Sequence, residues 1–261
     1  MAATAHSDVS GNYDEAIMAQ VDNIQKEIAE NQPLVSEKLE ITCLQKNYSM
    51  DDFIYQAKIK DLGLNYSHVR KTRGDGNCFY RAFGFAYLEI LIGNQLEYDR
   101  FKSLALHSKD ELVSLGFPSF TIEDFHQVFM ETIDAVGKSQ SVEELLKTFQ
   151  DEGLSNYIVV YLRLLTSAQL QKKSEFFENF IEGGRTVQEF RSQEVEPMAK
   201  ESDQIHIIAL TDALGVCVRV VYMDRGGNSV NHHDFPEDGS RPLVNLLYRP
   251  GHYDILYQKQ L

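Results

Sequence analysis

An α+β chain, helices first and a compact antiparallel sheet last, is what the order of residue patterns predicts. Three observations carry that prediction. Apolar residues recur at spacings of three and four from Tyr13 to Leu214, the period of helices with one buried face. After Gly215 the pattern switches to Val216-Cys217-Val218-Arg219-Val220-Val221-Tyr222, a β-branched run that reads as a strand. The strands follow the helices instead of alternating with them, and no internal repeat or low-complexity run interrupts the order.

The elements follow in turn. Residues 1 to 12 are small and polar and read as disordered. From Tyr13 to Asn31, the residues Ile17, Val21, Ile24 and Ile28 share one helical face, and Gln32-Pro33 ends the helix. That face either packs on its own domain or belongs to a mobile arm, residues 1 to 33, whose apolar side docks in a partner's groove. Residues 34 to 63 read as two short helices broken near Tyr48-Ser49-Met50, with Asp51 capping the second and Gly63 stopping it. Tyr66 to Arg73 is a polar lead-in. Cys78 to Ile92 is an apolar helix ended by Gly93-Asn94, and Glu97 to Leu115 is a further helix stopped by Gly116.

Thr121 to Asp124 has capping-box spacing, with Asp where Glu or Gln is usual, ahead of Phe125, Val128, Phe129 and Ile133 on one face. Ser141 to Glu144 has the same spacing and opens a helix to Phe149. Leu154 to Leu170 reads as a buried helix, and Thr186 to Val195 and Asp203 to Leu214 complete the helical part. Leu243 to Tyr248 and His252 to Tyr257 join Val216 to Tyr222 in the sheet. Arg249-Pro250-Gly251 is a turn, and Asp224 to Ser240 is a loop rich in Gly, Asn, Asp and His.

Composition narrows the classes of function. At 261 residues, 43% hydrophobic and 25% charged, the chain has room for a sizeable core. A net charge of −14 argues against broad nucleic-acid binding, which depends on Lys and Arg contacts to phosphate, and suits a basic or neutral partner. Cys43, Cys78 and Cys217 are far apart and odd in number, and no C-x-x-C occurs, so neither a disulfide framework nor a zinc ribbon is indicated. A reducing compartment is expected. The N-terminus lacks the order of a secretory signal, and no run approaches the roughly 18 apolar residues of a membrane span. The expected location is the cytosol, with access to the nucleus.

Chemistry concentrates at two places. In Asp75-Gly76-Asn77-Cys78 a glycine turn runs into a helix. A thiol there sits among unpaired N–H groups at the positive end of the macrodipole, a placement that favours a nucleophile. The same N–H groups can cradle an oxyanion. The plain alternative is a core thiol that happens to begin a helix. Among the histidines, His6 lies in the leader, His107 and His126 in helices, and His232 and His233 in a polar loop. His252 instead heads a strand, with Asp254 two residues on and therefore on the same face, where it can hold the imidazole. The alternative is a surface histidine in a hairpin.

Asp75-Gly76-Asn77-Cys78-Phe79-Tyr80-Arg81-Ala82-Phe83 resembles the cysteine box of the ovarian-tumour (OTU) family of deubiquitinating cysteine proteases. Tyr248-Arg249-Pro250-Gly251-His252-Tyr253-Asp254-Ile255-Leu256-Tyr257 resembles its histidine box. The likeness extends through Tyr13-Asp14-Glu15-Ala16-Ile17-Met18-Ala19-Gln20, Phe180-Ile181-Glu182-Gly183-Gly184-Arg185-Thr186 and Tyr222-Met223-Asp224-Arg225. Two boxes in this order, about 170 residues apart, are more specific than either alone.

The resemblance implies a papain-like OTU fold over residues 34 to 261 and hydrolysis of the isopeptide bond between ubiquitin's terminal glycine and a lysine. It implies Cys78 as nucleophile, His252 as base and then acid, and Asp254 as the orienting group. The N–H groups of Asp75, Gly76, Asn77 and Cys78 would form the oxyanion hole, with the Asp75 side chain at the edge of the catalytic set, shaping the loop. No metal or organic cofactor is implied. The implied partners are ubiquitin, polyubiquitin and ubiquitin-conjugating enzymes in their charged form, with no nucleic acid and no membrane. The face of Ile17, Val21, Ile24 and Ile28 would hold a proximal ubiquitin and favour lysine-forty-eight linkages through avidity. A role of a different class is implied beside cleavage: binding charged conjugating enzymes and blocking chain synthesis. That role would stand alone if the chain were not an enzyme.

Overall fold

A computed structural model describes residues 20, 23, 26–28, 30–138 and 141–259. The chain starts with a two-residue strand, β1 (Leu39–Glu40), a 3-10 segment (Ile41–Asn47) and helix α1 (Phe53–Asn65). Asp52, not Asp51, caps α1, its carboxylate accepting from the Tyr55 N–H at 3.4 Å. Gly63 does not stop the helix, because the buried face continues through Leu62 and the chain leaves only at Tyr66. Strand β2 (Tyr66–Arg70) stands where a polar lead-in was expected. It pairs with β1 on one side and with a strand from the far end of the chain on the other, so nothing local marks it.

Helices α2 (Cys78–Leu91), α3 (Gln95–Ser114), α4 (Ser119–Gly137), α5 (Val142–Gln150), α6 (Glu152–Lys172) and α7 (Gln204–Leu214) build the helical layer. The Ser141–Glu144 box forms: Ser141 Oγ accepts from the Glu144 N–H at 3.2 Å, and the Glu144 carboxylate accepts from the Ser141 N–H at 2.9 Å. Thr121 caps nothing. Helix α4 begins at Ser119 behind extended Pro118, and its buried face is Ile122, His126, Phe129, Ile133 and Val136, rotated from the expected one. The longer helix wins because Ile122 is buried only if the first turn is already helical. The expected Thr186–Val195 helix is a short helix, Val187–Phe190, capped by Thr186 and followed by a π turn, Arg191–Val195.

Strands β3 (Val218–Tyr222), β4 (Asn231–Phe235), β5 (Val244–Arg249) and β6 (His252–Gln258) complete one six-stranded sheet in the order β1-β2-β6-β5-β3-β4. The α+β class stands, but the sheet is larger than three strands and is mixed, since β3 and β5 run parallel. The β3–β4 hairpin occupies one edge of β3, so β5, returning from β4, pairs with the other edge in the direction of β3. Strand β4 lies inside the expected loop 224–240; its Asn231, His232 and His233 are exposed, which is why it reads as polar.

Adjacent residues of the strands feed two cores, as their alternation requires. Val220, Leu246, Tyr253 and Ile255 pack against the helical layer, while Val221, Leu247 and Leu256 pack against α1 and the 3-10 segment. Helix α2 lies in the larger core, with every residue from Cys78 to Leu88 buried. Each buried aromatic of this helix contributes about 1.5–3 kcal/mol. Its first turn meets the first residues of β6, where the Phe79 and Tyr253 rings lie 5.3 Å apart. The two boxes therefore come together through core packing, not through loops.

Of the expected arm face, Ile17, Val21 and Ile24 lie outside the described residues. Ile28 is half-buried and lines a cleft with Arg73 to Asn77, Phe125, Tyr157 and Met198.

Candidate active site

Cys78 opens α2 and is 4% exposed. The turn ahead of it is held from inside. Asp75 accepts from the Asn77 N–H at 2.9 Å, and its two carboxylate oxygens accept from Arg81 Nη1 at 2.9 and 2.7 Å. Arg81 lies fully buried one helical turn after Cys78, and its other nitrogens donate to Ser155 Oγ and Asn156 Oδ1. Burial pushes the Arg81 pKa down and Asp75 works against that shift. The Asp75 side chain thus shapes the loop.

That geometry corrects one expected donor. The Asn77 N–H already donates to Asp75, so it is not free to meet an oxyanion. Among the described residues no hydrogen bond occupies the N–H groups of Asp75, Gly76 or Cys78.

His252 lies at the start of β6, opposite Arg249 of β5. Its Nε2 donates to Asp254 Oδ1 at 2.9 Å, the bond that the same-face spacing allows. Asp254 is fully buried. Its Oδ1 also accepts from the Thr72 N–H at 3.0 Å, and its Oδ2 accepts from Arg249 Nη2 at 2.5 Å. The Thr72 hydroxyl donates to the Tyr253 carbonyl, tying the segment after β2 to the same corner. Burial would raise the Asp254 pKa, but His252, Arg249 and the Thr72 N–H hold it below the usual carboxylate range. Burial also pushes the His252 ring down, while the Asp254 carboxylate and the Cys78 sulfur outweigh it and bring the ring to about 9. With Nε2 on Asp254, Nδ1 is the nitrogen left for Cys78, and it lies 3.7 Å from the point where a Gly74 Cβ would stand.

Three clefts open around this pair. One of about 640 Å³ runs past Ile28, Tyr157 and Met198 to residues 74–77. A second, about 440 Å³, is lined by Phe180, Glu201, Tyr248 and Gly251. The third, about 590 Å³, lies beside Gly74, Arg249 and His252. Among the described residues no group of three or more His, Cys, Asp or Glu side chains has the geometry to hold a metal ion, and no helix is long and apolar enough to cross a membrane.

The structure brings Cys78, His252, Asp254 and the Asp75 turn to one point. Sequence reasoning missed the groups that hold them. Arg249 was read as part of a turn and of the histidine box, without a role of its own. Arg81 carried a visible signal, a charge in an apolar helix one turn past the cysteine. Arg163 carried the same signal within the apolar stretch 154–170. Ala199 and Thr72 carried none.

Comparison with known proteins identifies the family. The peptidase C65 otubain family model matches residues 27–258. The ubiquitin thioesterase OTUB1 of Homo sapiens is 64% identical over 247 residues, 94% of this chain and 91% of that protein. The ovarian tumor domain-containing deubiquitinating enzyme 1 of Arabidopsis thaliana is 43% identical over 259 residues, 91% of this chain and 85% of that protein. A chain from the solved complex of h/ceOTUB1, ubiquitin aldehyde and UBCH5B~Ub superimposes with a TM-score of 0.90 at 40% identity, covering 95% of this chain and 99% of that one. On a match that spans nearly its whole length, this chain belongs to the peptidase C65 otubain family.

Proposed function

We propose that this chain is a cysteine-type deubiquitinase that hydrolyses isopeptide bonds in polyubiquitin. Cys78 is the nucleophile, His252 the base and then the acid, and Asp254 the group that orients the ring. The observation that carries this reading is a helix-terminal thiol close enough to a carboxylate-held imidazole to help raise the pKa of that ring. A ring that carries its proton at neutral pH is the partner a cysteine nucleophile needs.

The sulfur attacks the carbonyl carbon of ubiquitin's terminal glycine, and the C=O electron pair moves to oxygen. The N–H groups of Gly76 and Cys78 meet that oxyanion. The imidazolium gives its proton to the lysine nitrogen, the C–N bond breaks, and the amine leaves. Water, deprotonated by the now neutral ring, attacks the thioester and the C–S bond breaks. Lysine-forty-eight chains are favoured because a proximal ubiquitin on the face of Ile17, Val21, Ile24 and Ile28 adds a second contact.

Binding of charged conjugating enzymes is a second activity of the same chain. It is supported by the similarity to a chain from a complex that contains UBCH5B~Ub.

A ubiquitin carrying a thiol-trapping group at its C-terminus tests the first reading. An adduct mapped to Cys78 is expected, and an adduct elsewhere or none overturns it. For the second, Cys78→Ser is expected to stop chain cleavage yet still suppress chain synthesis by a conjugating enzyme, while removal of residues 1–33 loses suppression. The reverse pattern overturns that assignment.

A further inference from the structure

Beneath the cysteine turn, residues 75–78 meet residues 198–200, and one guanidinium joins them. Arg163, in the middle of α6, is fully buried. Its Nη2 donates to the Gly76 carbonyl at 2.9 Å, to Asn77 Oδ1 at 3.0 Å and to the Lys200 carbonyl at 2.7 Å, and Nη1 donates to the Val195 carbonyl at 3.0 Å. Its Cζ lies over the Tyr80 ring, 4.5 Å from the centroid. Asn77 Oδ1 also accepts from the Ala199 N–H at 2.9 Å. Ala199 has φ 60°, a left-handed conformation that costs a non-glycine residue about 1–2 kcal/mol. A Cβ on Gly76 would stand 2.4 Å from the Ala199 carbonyl, so this approach requires glycine.

These bonds decide where the turn's N–H groups point. In a trans peptide the C=O and N–H face opposite ways. The Gly76 carbonyl is drawn to Arg163 and the Asn77 N–H to Asp75, so that peptide is engaged on both sides. The Asp75 carbonyl faces Asn77 Nδ2 at 3.4 Å, which turns the Gly76 N–H away from it. The Asn77 carbonyl accepts from the Arg81 N–H, so the Cys78 N–H points out of the helix start. Arg163 Nε is buried and has no partner among the described residues. An apolar side chain in its place would avoid that cost, so packing alone does not account for a cation here.

We infer that Arg163 is a positioning residue for the oxyanion hole: by clamping the Gly76 carbonyl and the Asn77 side chain to residues 198–200, it aims the Gly76 and Cys78 N–H groups at the oxygen of the reacting carbonyl. The inference rests on Cys78 being the nucleophile.

Two reactions of that thiol separate aim from folding. Hydrolysis of a ubiquitin C-terminal amide passes through an oxyanion. Alkylation by a ubiquitin with a C-terminal haloalkyl group forms a C–S bond as halide leaves a saturated carbon, and passes through none. Arg163→Lys keeps the charge but loses the fork that reaches both acceptors. Its kcat for the amide is expected to fall about 10- to 100-fold, with KM and the alkylation rate nearly unchanged. Equal losses in both reactions, or unchanged hydrolysis, overturn the inference. If Arg163→Lys does not fold, Asn77→Ala carries the same expectation and is overturned by the same results, because it removes the oxygen that Arg163 and Ala199 share. If the unsubstituted chain is not alkylated at Cys78, the nucleophile reading itself has failed.

Discussion

On the helical side of the cleft, residues 75–81 are held by two buried cations, Arg81 and Arg163, which donate to a carboxylate, a hydroxyl, amide oxygens and backbone carbonyls. On the sheet side, residues 249–254 are held by one buried anion, Asp254, which accepts from Arg249, His252 and the Thr72 N–H. The cations fix a backbone, and what they leave over is a pair of aimed N–H groups. The anion fixes a side chain and also its charge. The two cations of the first arrangement keep their protons near neutral pH, as guanidinium does. The second is built on a ring whose proton comes off at about 9. One active site thus joins a half clamped by fixed charges to one clamped through a titratable ring.

The largest effect should come from removing the ring. His252→Ala is expected to lower ubiquitin-amide hydrolysis about ten-thousand-fold, leaving only what the oxyanion hole and binding supply. Thermal unfolding above about pH 9 should barely change, since Asp254 keeps Arg249 and Thr72 as partners, whereas at lower pH the variant loses the contribution of the charged ring. A large loss of stability above about pH 9 would show that the ring also holds the sheet corner together.

Next comes the helical clamp. Arg81→Met strands Asp75 without its cation and is expected to cost about 3–5 kcal/mol in urea unfolding. Arg249→Met should cost less, because Asp254 retains two other donors. Equal costs would mean that the two halves are not held differently.

The titratable half should show itself in pH profiles. With the ring at about 9, kcat/KM for the amide should fall as pH rises through about 9. Asp254→Asn removes the anion that favours the cation, so this limb should move to lower pH, whereas Arg163→Lys should leave it in place. A limb that stays put in Asp254→Asn would separate it from His252. Stability gives a second readout. The His252 contribution is fully present below the free-ring value of 6.5 and is lost as pH rises through about 9. His206 behaves oppositely: burial, then the nearby Arg163 charge, push its ring down to about 4, so it folds neutral. Its contribution is present above 6.5 and is lost as pH falls toward 4, which His206→Asn should abolish in acid unfolding curves.

The smallest change should be Gly74→Ala. Its Cβ would meet His252 Nδ1 at 3.7 Å, an ordinary contact, so stability should move by less than about 0.5 kcal/mol. A marked loss of rate would show that the ring needs that space to move.

How far such features can be read from residues depends on how many residues separate the partners. The Ser141–Glu144 box closes within four residues and was legible in full. So was the His252–Asp254 pair, because strand alternation alone puts both on one face. Strand β2 was missed because Tyr66 to Arg70 is a strand only once β6 arrives beside it. Strand β4 was missed because an edge strand keeps polar residues. Pro118 was passed over as a helix start because Thr121 offered a stronger local signal that burial of Ile122 overrode.

By itself the sequence determined the α+β order, the apolar helix behind Cys78, the carboxylate beside His252 and the two boxes that mark the family, since periodicity, capping and strand alternation all act over a few residues. The tertiary structure alone decided which N–H groups of the cysteine turn remain free, that Arg163 and Arg249 serve the two halves, and that β5 runs parallel to β3. Those outcomes depend on which groups meet when distant segments pack. A buried charge or an N–H direction has no meaning until its partner from elsewhere in the chain is in place.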